Sequence, residues 1–152
     1  MPHSLPPSAA KVQAALREFG MQGEVVELPD STRTAKEAAA AIGCEVAQIV
    51  KSLIFTGAQS NKPVLVIASG VNRVNETRLA ELFGEPIHKA DADFVRKHTG
   101  FAIGGVPPVA HASQIETFID EDLLQFGEIW AAAGTPHAVF KLTPVELLRI
   151  TR

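Results

Sequence analysis

The chain has 152 residues, a formal net charge of −3, a hydrophobic share of 46% and one cysteine. This length fits one domain, 1–152, and the composition is that of a soluble globular protein. The acidic balance argues against a protein that coats nucleic acid non-specifically, because such binding needs many cationic contacts to phosphates. The apolar runs are too short to cross a bilayer, the N-terminus lacks a signal-peptide pattern, and one cysteine excludes an internal disulfide. We therefore expect a cytoplasmic protein without membrane contact.

Helix and strand patterns alternate in the first half of the chain. Apolar residues at helical spacing predict a helix that begins at Ser8 and stops at Gly20. A second helix is predicted over 35–42, because Thr34 and Glu37 can form a capping box at its start. Strands are predicted over 24–28, 48–55 and 62–68.

The second half continues the alternation. Helices are predicted over 75–83, 91–97 and 144–150, the last with Thr143 as its cap. Strands are predicted over 86–88, 116–119, 128–133 and 138–142. Hairpin-like pairs combined with helical crossovers indicate an α/β (α+β) fold, in which a mixed sheet is surrounded by helices.

Several familiar chemistries are absent from the sequence. The five histidines show no metal-ligand spacing, and one cysteine cannot build a zinc site. There is no Walker loop, no dinucleotide fingerprint after a strand and no Gly-x-Ser-x-Gly nucleophile elbow. We therefore expect no metal and no cofactor. The remaining candidates are a lysine in an apolar run and a loop rich in glycine and proline.

The segment 100–108 contains three glycines and two adjacent prolines. Glycine opens backbone angles that other residues avoid, whereas proline fixes φ and lacks an N–H group. A loop of this kind can hold bare N–H and C=O groups in a fixed arrangement for a ligand. The alternative is a rigid turn without a ligand.

Lys51 lies within the apolar run 49–55. Because side chains alternate between the faces of a strand, Lys51 shares a face with Ile49, Leu53 and Phe55. This pattern favours a lysine that faces a pocket over one that simply points to solvent.

Four segments carry a family resemblance in a fixed order: Thr34–Leu53, Val71–Leu79, Thr99–Pro108 and Ile129–Pro136. In these segments the chain resembles the YbaK/prolyl-tRNA-synthetase-associated editing family. The resemblance implies a barrel-like central sheet and a free-standing aminoacyl-tRNA deacylase. Such an enzyme hydrolyses the ester between a wrong amino acid and the 3′-terminal adenosine of a tRNA. The implied partner is the tRNA acceptor end, with prolyl-tRNA synthetase as a second candidate.

The resemblance also implies the site. Lys51 matches the family's conserved lysine, which contacts the substrate, and 104–108 match its Gly-x-x-x-Pro element, whose backbone meets the terminal adenosine and the ester. The implied catalytic residues are Lys51, Gly104 and Gly105. The implied substrate-binding residues are Val106, Pro107, Pro108, Ala132, Gly134, His137 and Asn75. Preorganised N–H groups can stabilise the oxyanion that forms during ester hydrolysis.

Two residues depart from the YbaK pattern. Ala132 stands where YbaK-like members usually carry serine, and Ala110 stands where their loop usually ends in glycine. A small apolar amino acid such as alanine is therefore a candidate beside cysteine, and the expected substrate is a mischarged tRNA(Pro). His137 either closes the pocket or is an exposed turn residue, and Asn75 either touches tRNA or caps a helix. Two other functions stay open: an aminoacyl-tRNA or synthetase-binding module without turnover, and a hydrolase of small amino-acid esters.

Overall fold

A mixed sheet forms the centre of the computed structural model, which describes residues 5–28 and 34–151. Within these residues the sheet has seven strands: β1 Val26–Glu27, β2 Ile49–Gly57, β3 Pro63–Ser69, β4 Ile87–Lys89, β5 Glu116–Ile119, β6 Ile129–Ala132 and β7 Ala138–Leu142. The strand order is β1-β7-β6-β2-β3-β5, and β4 also pairs with β2. The pairs β2–β6 and β3–β5 are parallel, and the other pairs are antiparallel.

Helices surround this sheet. They are α1 Pro7–Glu18, α2 Ala35–Ile42, α3 Glu76–Phe83, α4 Ala92–Thr99 and α5 Pro144–Ile150, with short 3-10 turns at Val46–Gln48 and Glu121–Gln125. The capping box that Thr34 and Glu37 form at the start of α2 is present, as predicted. No helix in the described ranges is long and apolar enough to span a membrane. The predicted mixed fold with surrounding helices is confirmed.

The first strand is shorter than the sequence pattern predicts. The pattern indicates a strand over 24–28, but the paired residues of β1 and β7 begin at Val26, and the Leu28 amide adds a bond to the His137 carbonyl at 2.7 Å. The amide of Val25 points away from β7 and donates to the side chain of Gln13 on α1, at 2.8 Å. The strand therefore begins two residues later than the pattern indicates.

The long strand β2 contributes to three apolar clusters. Val50 and Ile54 pack into the main core, and Phe55 packs into a second cluster that includes Leu79 of α3. Ile49 packs against α2 in a third cluster. The alternation predicted for β2 is therefore present.

Candidate active site

A gap in the sheet lies along one edge of β2. On this edge β6 pairs with Ile49 and Val50, whereas β4 pairs with 55–57. Neither ladder reaches the residues between them. A cavity of about 590 Å³ lies here and is lined by every residue of β2 from Ile49 to Phe55. A strand that lines a cavity with consecutive residues does so along its edge, because its side chains alternate between two faces.

The ends of the neighbouring elements form the walls of this cavity. β6 contributes Ala131 and Ala132, and Ala90 follows β4. The loop after α4 contributes Ile103, Gly104 and Val106. The cavity therefore brings Lys51 and the glycine-proline loop together.

All charged residues that line the cavity in the described part of the chain are lysines: Lys36, Lys51 and Lys89. Lys36 and Lys89 are exposed and have no ion pair with a described residue. The chain as a whole carries a net charge of −3, so this positive cluster is a local feature. The cavity therefore suits an anionic or electron-rich ligand.

Lys51 is half-buried, and its ammonium group donates a hydrogen bond to the main-chain carbonyl of Asn72 at 2.5 Å. Burial lowers the pKa of Lys51, Arg73 lowers it further, and the carboxylate of Asp120 partly opposes both effects. An ammonium group has three donors. The other two donors meet no acceptor among the described residues, so they are free for a ligand.

Asn72 connects Lys51 to two carboxylates. Its Nδ2 donates to Asp120 Oδ2 and to Asp122 Oδ2, each at 2.7 Å. Asp120 Oδ2 also accepts from the amide of Ser69 at 3.0 Å. Burial by itself would raise the pKa of Asp120, but these hydrogen bonds and the nearby Lys51 charge outweigh it and lower the pKa. Asp120 is therefore held as a carboxylate that orients Asn72.

The loop enters the cavity through a tight turn. The amide of Gly105 donates to the carbonyl of Ala102 at 3.0 Å, and Gly104 between them has a φ of +93°. A positive φ at the third position of a turn is the geometry that favours glycine. Within the described residues, the amides of Gly104 and Val106 make no hydrogen bond. These two amides are thus available at the cavity wall.

Close backbone packing holds the loop from behind. The amide of Gly134 donates to the carbonyl of Gly105 at 2.8 Å. A Cβ on Gly105 would lie 2.9 Å from the Gly134 carbonyl carbon and from Thr135 Cα. The His111 ring contacts the carbonyl of Pro107 at 2.7 Å, and burial lowers the pKa of His111. The loop is therefore fixed by its own backbone.

Only some of the predicted site residues reach the cavity. Those that line it are Lys51, Gly104, Val106 and Ala132. Those that do not line it are Gly105, Pro107, Pro108, Gly134, His137 and Asn75.

The residues outside the cavity have other positions. Gly105, Pro107, Pro108 and Gly134 are buried behind the cavity wall, where they support the loop. His137 is exposed in the turn between β6 and β7. Asn75 is exposed, and its side chain caps α3 by accepting from the amide of Arg78 at 3.0 Å. This placement fits the capping alternative that the sequence left open for Asn75.

Sequence reasoning missed Ser52 and Asp120. Ser52 lines the cavity, and its buried hydroxyl has no hydrogen-bond partner among the described residues. Ser52 lies in the family segment Thr34–Leu53 but is assigned no role there, and the Asp120 side chain accepts from Asn72 across 48 positions. Within the described residues, no group of three His, Cys, Asp or Glu side chains could hold a metal ion.

Comparisons with known proteins identify the family. The family model described as "Aminoacyl-tRNA editing domain" matches residues 29–150. A solved structure described as a "putative trans-editing enzyme for prolyl tRNA synthetase" is 53% identical, with a TM-score of 0.91. The match covers 97% of this chain and 94% of that one.

Two curated relatives are more distant. "Uncharacterized protein YwhH" of Bacillus subtilis (strain 168) is 29% identical over 140 residues, which cover 92% of this chain and 88% of the relative. "Putative Cys-tRNA(Pro)/Cys-tRNA(Cys) deacylase EbsC" of Enterococcus faecalis (strain ATCC 700802 / V583) is 27% identical over 122 residues, which cover 78% of this chain and 72% of the relative. The family resemblance inferred from the sequence is therefore confirmed.

Proposed function

The chain belongs to the aminoacyl-tRNA editing domain family, and we propose that it acts in trans as a deacylase of mischarged tRNA(Pro) carrying a small wrong amino acid. One observation carries this proposal: Lys51 lines the same cavity as Gly104 and Val106, whose amides make no hydrogen bond to any residue of 5–28 or 34–151. We assign no cofactor to the reaction.

The chemistry needs little more than positioning and charge stabilisation. A water molecule attacks the ester carbonyl carbon, and negative charge develops on the carbonyl oxygen. The amides of Gly104 and Val106 would donate to this oxygen, and the loss of one such donor typically costs about 3 kcal/mol of barrier. The intermediate then releases the ribose 3′ oxygen, which takes up the proton that the attacking water gives up. The products are the free amino acid and the intact tRNA.

Lys51 would supply positive charge beside the ester. Its two free N–H groups can donate to the substrate while the third holds it on Asn72. Burial and the Arg73 charge both disfavour the charged form of Lys51. An electron-rich ligand that enters the cavity would therefore be attracted by a lysine charge that the protein itself stabilises only in part. This is a binding role, and it requires no proton transfer from the lysine.

The dimensions and the wall of the cavity suit the substrate. A volume of about 590 Å³ lies within the range of small-molecule sites. Ala132 lines the cavity in place of the serine of YbaK-like members, so the wall offers a methyl group there. This supports a small apolar amino acid such as alanine. The choice of tRNA(Pro) is supported by the description of the 53% identical structure as a trans-editing enzyme for prolyl tRNA synthetase.

The test is the release of free amino acid from a panel of mischarged tRNAs. Wild type is compared with Lys51→Ala and with the control Lys97→Ala, since Lys97 is exposed on α4 and does not line the cavity. We expect Lys51→Ala to lose hydrolysis while its circular dichroism and thermal unfolding stay close to wild type. Binding of aminoacyl-tRNA without turnover by wild type would instead indicate a binding module. Equal turnover of simple amino-acid esters would indicate a hydrolase that does not require tRNA.

A further inference from the structure

The main-chain groups of Ser52 point into the gap of the sheet. The carbonyl of Ile49 accepts from the amide of Gly70 at 2.8 Å, and the amide of Gly57 donates to the carbonyl of Lys62 at 2.9 Å. The odd-numbered residues of β2 therefore bond towards β3. Successive residues of a strand direct their N–H and C=O groups to opposite edges. Ser52 consequently directs its own groups away from β3, to the edge where β4 and β6 pair.

Neither neighbouring strand meets these groups. The β6 ladder ends at Val50, which pairs with Ala131. On the β4 side, the last bond to β2 runs from the amide of Ala90 to the carbonyl of Ile54, at 3.2 Å. Within the described residues, the N–H and C=O of Ser52 are thus left without a strand partner. The Ser52 hydroxyl is buried and adds a third polar group that meets no partner in the described part of the chain. Buried polar groups without partners are rare in native proteins.

The aminoacyl part of the substrate carries the matching groups. In an antiparallel ladder, a hydrogen-bonded residue exchanges both N–H···O bonds with one partner residue. An α-amino acid ester has a donor, its α-ammonium group, and an acceptor, its ester carbonyl, on the two sides of one Cα atom. This is the pattern of one residue at the end of a strand.

We propose that the aminoacyl group of the substrate pairs with the main chain of Ser52 and fills the gap between β4 and β6. Its α-ammonium group donates to the Ser52 carbonyl, and its ester carbonyl accepts from the Ser52 amide. This inference rests on the proposed function, since it names the part of the substrate that this edge recognises. A carbonyl oxygen has two lone pairs, so the ester can also accept from one loop amide. The oxyanion that forms during hydrolysis has a third lone pair, which can accept from the second loop amide.

The pairing predicts selectivity for a free α-amino group. An acyl group without that group leaves the Ser52 carbonyl unpaired, so it should bind more weakly.

The test follows the Ser52 amide by hydrogen-exchange NMR on the full-length protein. The probe is 3′-(L-alanylamino)-3′-deoxyadenosine, which the enzyme cannot hydrolyse as an ester. Without the probe we expect the Ser52 amide to exchange at least about tenfold faster than the amide of Leu53, which bonds towards β3. With the probe bound we expect it to slow to the rate of its neighbours.

A matched ligand tests the α-ammonium group. The propionyl counterpart of the probe lacks only the amino group, and we expect it to bind at least about tenfold more weakly by calorimetry, as is usual when a hydrogen bond from a charged group is removed. The control variant Ser52→Ala keeps the main chain, so it should retain this ratio. A Ser52 amide that is already protected without ligand, or that the bound probe leaves unchanged, would overturn the inference. Turnover of aminoacyl-tRNA by wild type would then leave the proposed function standing, whereas absence of both turnover and probe binding would reject that function.

Discussion

Lys51 is held by the main-chain carbonyl of Asn72, which accepts a hydrogen bond from its ammonium group at 2.5 Å. Asn72 is in turn held by its side-chain amide, which donates to Asp120 and Asp122. The position of the lysine therefore depends on carboxylates with which it shares no hydrogen bond. Asp120 is the centre of this arrangement, because its two oxygens accept from Asn72, Ser69 and Asp122.

Asp120→Asn should lower kcat/KM of the proposed deacylation about tenfold. All three partners of Asp120 are donors, and an asparagine offers only one oxygen beside an NH2 group, so at least one partner is left facing a donor. Asn72 would then lose its fixed orientation, and Lys51 would lose the fixed Asn72 carbonyl that accepts its hydrogen bond. The measurement is steady-state hydrolysis with a mischarged tRNA. A variant with unchanged kinetics would show that Lys51 is positioned without Asp120.

Asp120 should also determine how the free energy of unfolding changes with pH under acidic conditions. Its pKa is lowered in the folded protein. The stabilisation is therefore present above the unfolded pKa of about 3.9 and is lost as pH falls through the lower, folded pKa. We expect the difference in free energy of unfolding between wild type and Asp120→Asn to be largest near neutral pH and to shrink below about pH 4. Urea unfolding across this pH range measures it, with the exposed Glu24→Gln as the control for the removal of a charge.

Local patterns predicted most of the fold and only part of the site. The start of α2 was predictable because Thr34 and Glu37 lie three positions apart, and the face of Lys51 was predictable because side chains alternate along a strand. The gap beside Ser52 depends on where two other strands stop pairing, which no periodicity within β2 encodes. The buried position of Gly105 was not predictable for a similar reason, since its amide donates inside the turn and its Cα packs against the backbone of Gly134 and Thr135.

Removal of the two exposed cavity lysines should weaken tRNA binding selectively. Lys36 and Lys89 line the cavity without an ion pair among the described residues, so they are placed to meet the phosphates of a single-stranded 3′ end. Lys36→Ala with Lys89→Ala should raise KM for mischarged tRNA and leave kcat unchanged. The slope of log KM against log salt should fall by about 0.7 for each phosphate that the variant no longer neutralises.

The control for this prediction removes two other cations. Lys97 and Arg149 are exposed on α4 and α5 and do not line the cavity. The double variant Lys97→Ala with Arg149→Ala therefore has the same net charge as the test variant. Equal effects of the two double variants on KM would indicate a general charge effect and contradict a specific role for the cavity lysines.

Gly105→Ala should destabilise the fold and displace the loop. The new Cβ would lie 2.9 Å from backbone atoms of Gly134 and Thr135, and backbone cannot move aside as a flexible side chain can. Overpacking of this kind typically costs about 1–3 kcal/mol. We expect a lower free energy of unfolding in urea together with a lower kcat. Gly127→Ala is the matched control, because nothing lies within 4 Å of its added Cβ.

Ala110→Gly should stabilise the protein. Ala110 has a φ of +68°, in the left-handed region where a Cβ costs roughly 1–2 kcal/mol. Glycine removes this cost but gains freedom in the unfolded chain, which offsets about 0.5–1 kcal/mol. The expected net gain is therefore about 0.5–1 kcal/mol in the free energy of unfolding. The exposed Ala112→Gly, two positions further along the same segment, has no positive φ to relieve and should lose stability instead. Urea unfolding of the two variants beside wild type tests this, and a loss of stability in both would show that the left-handed backbone at 110 carries no strain.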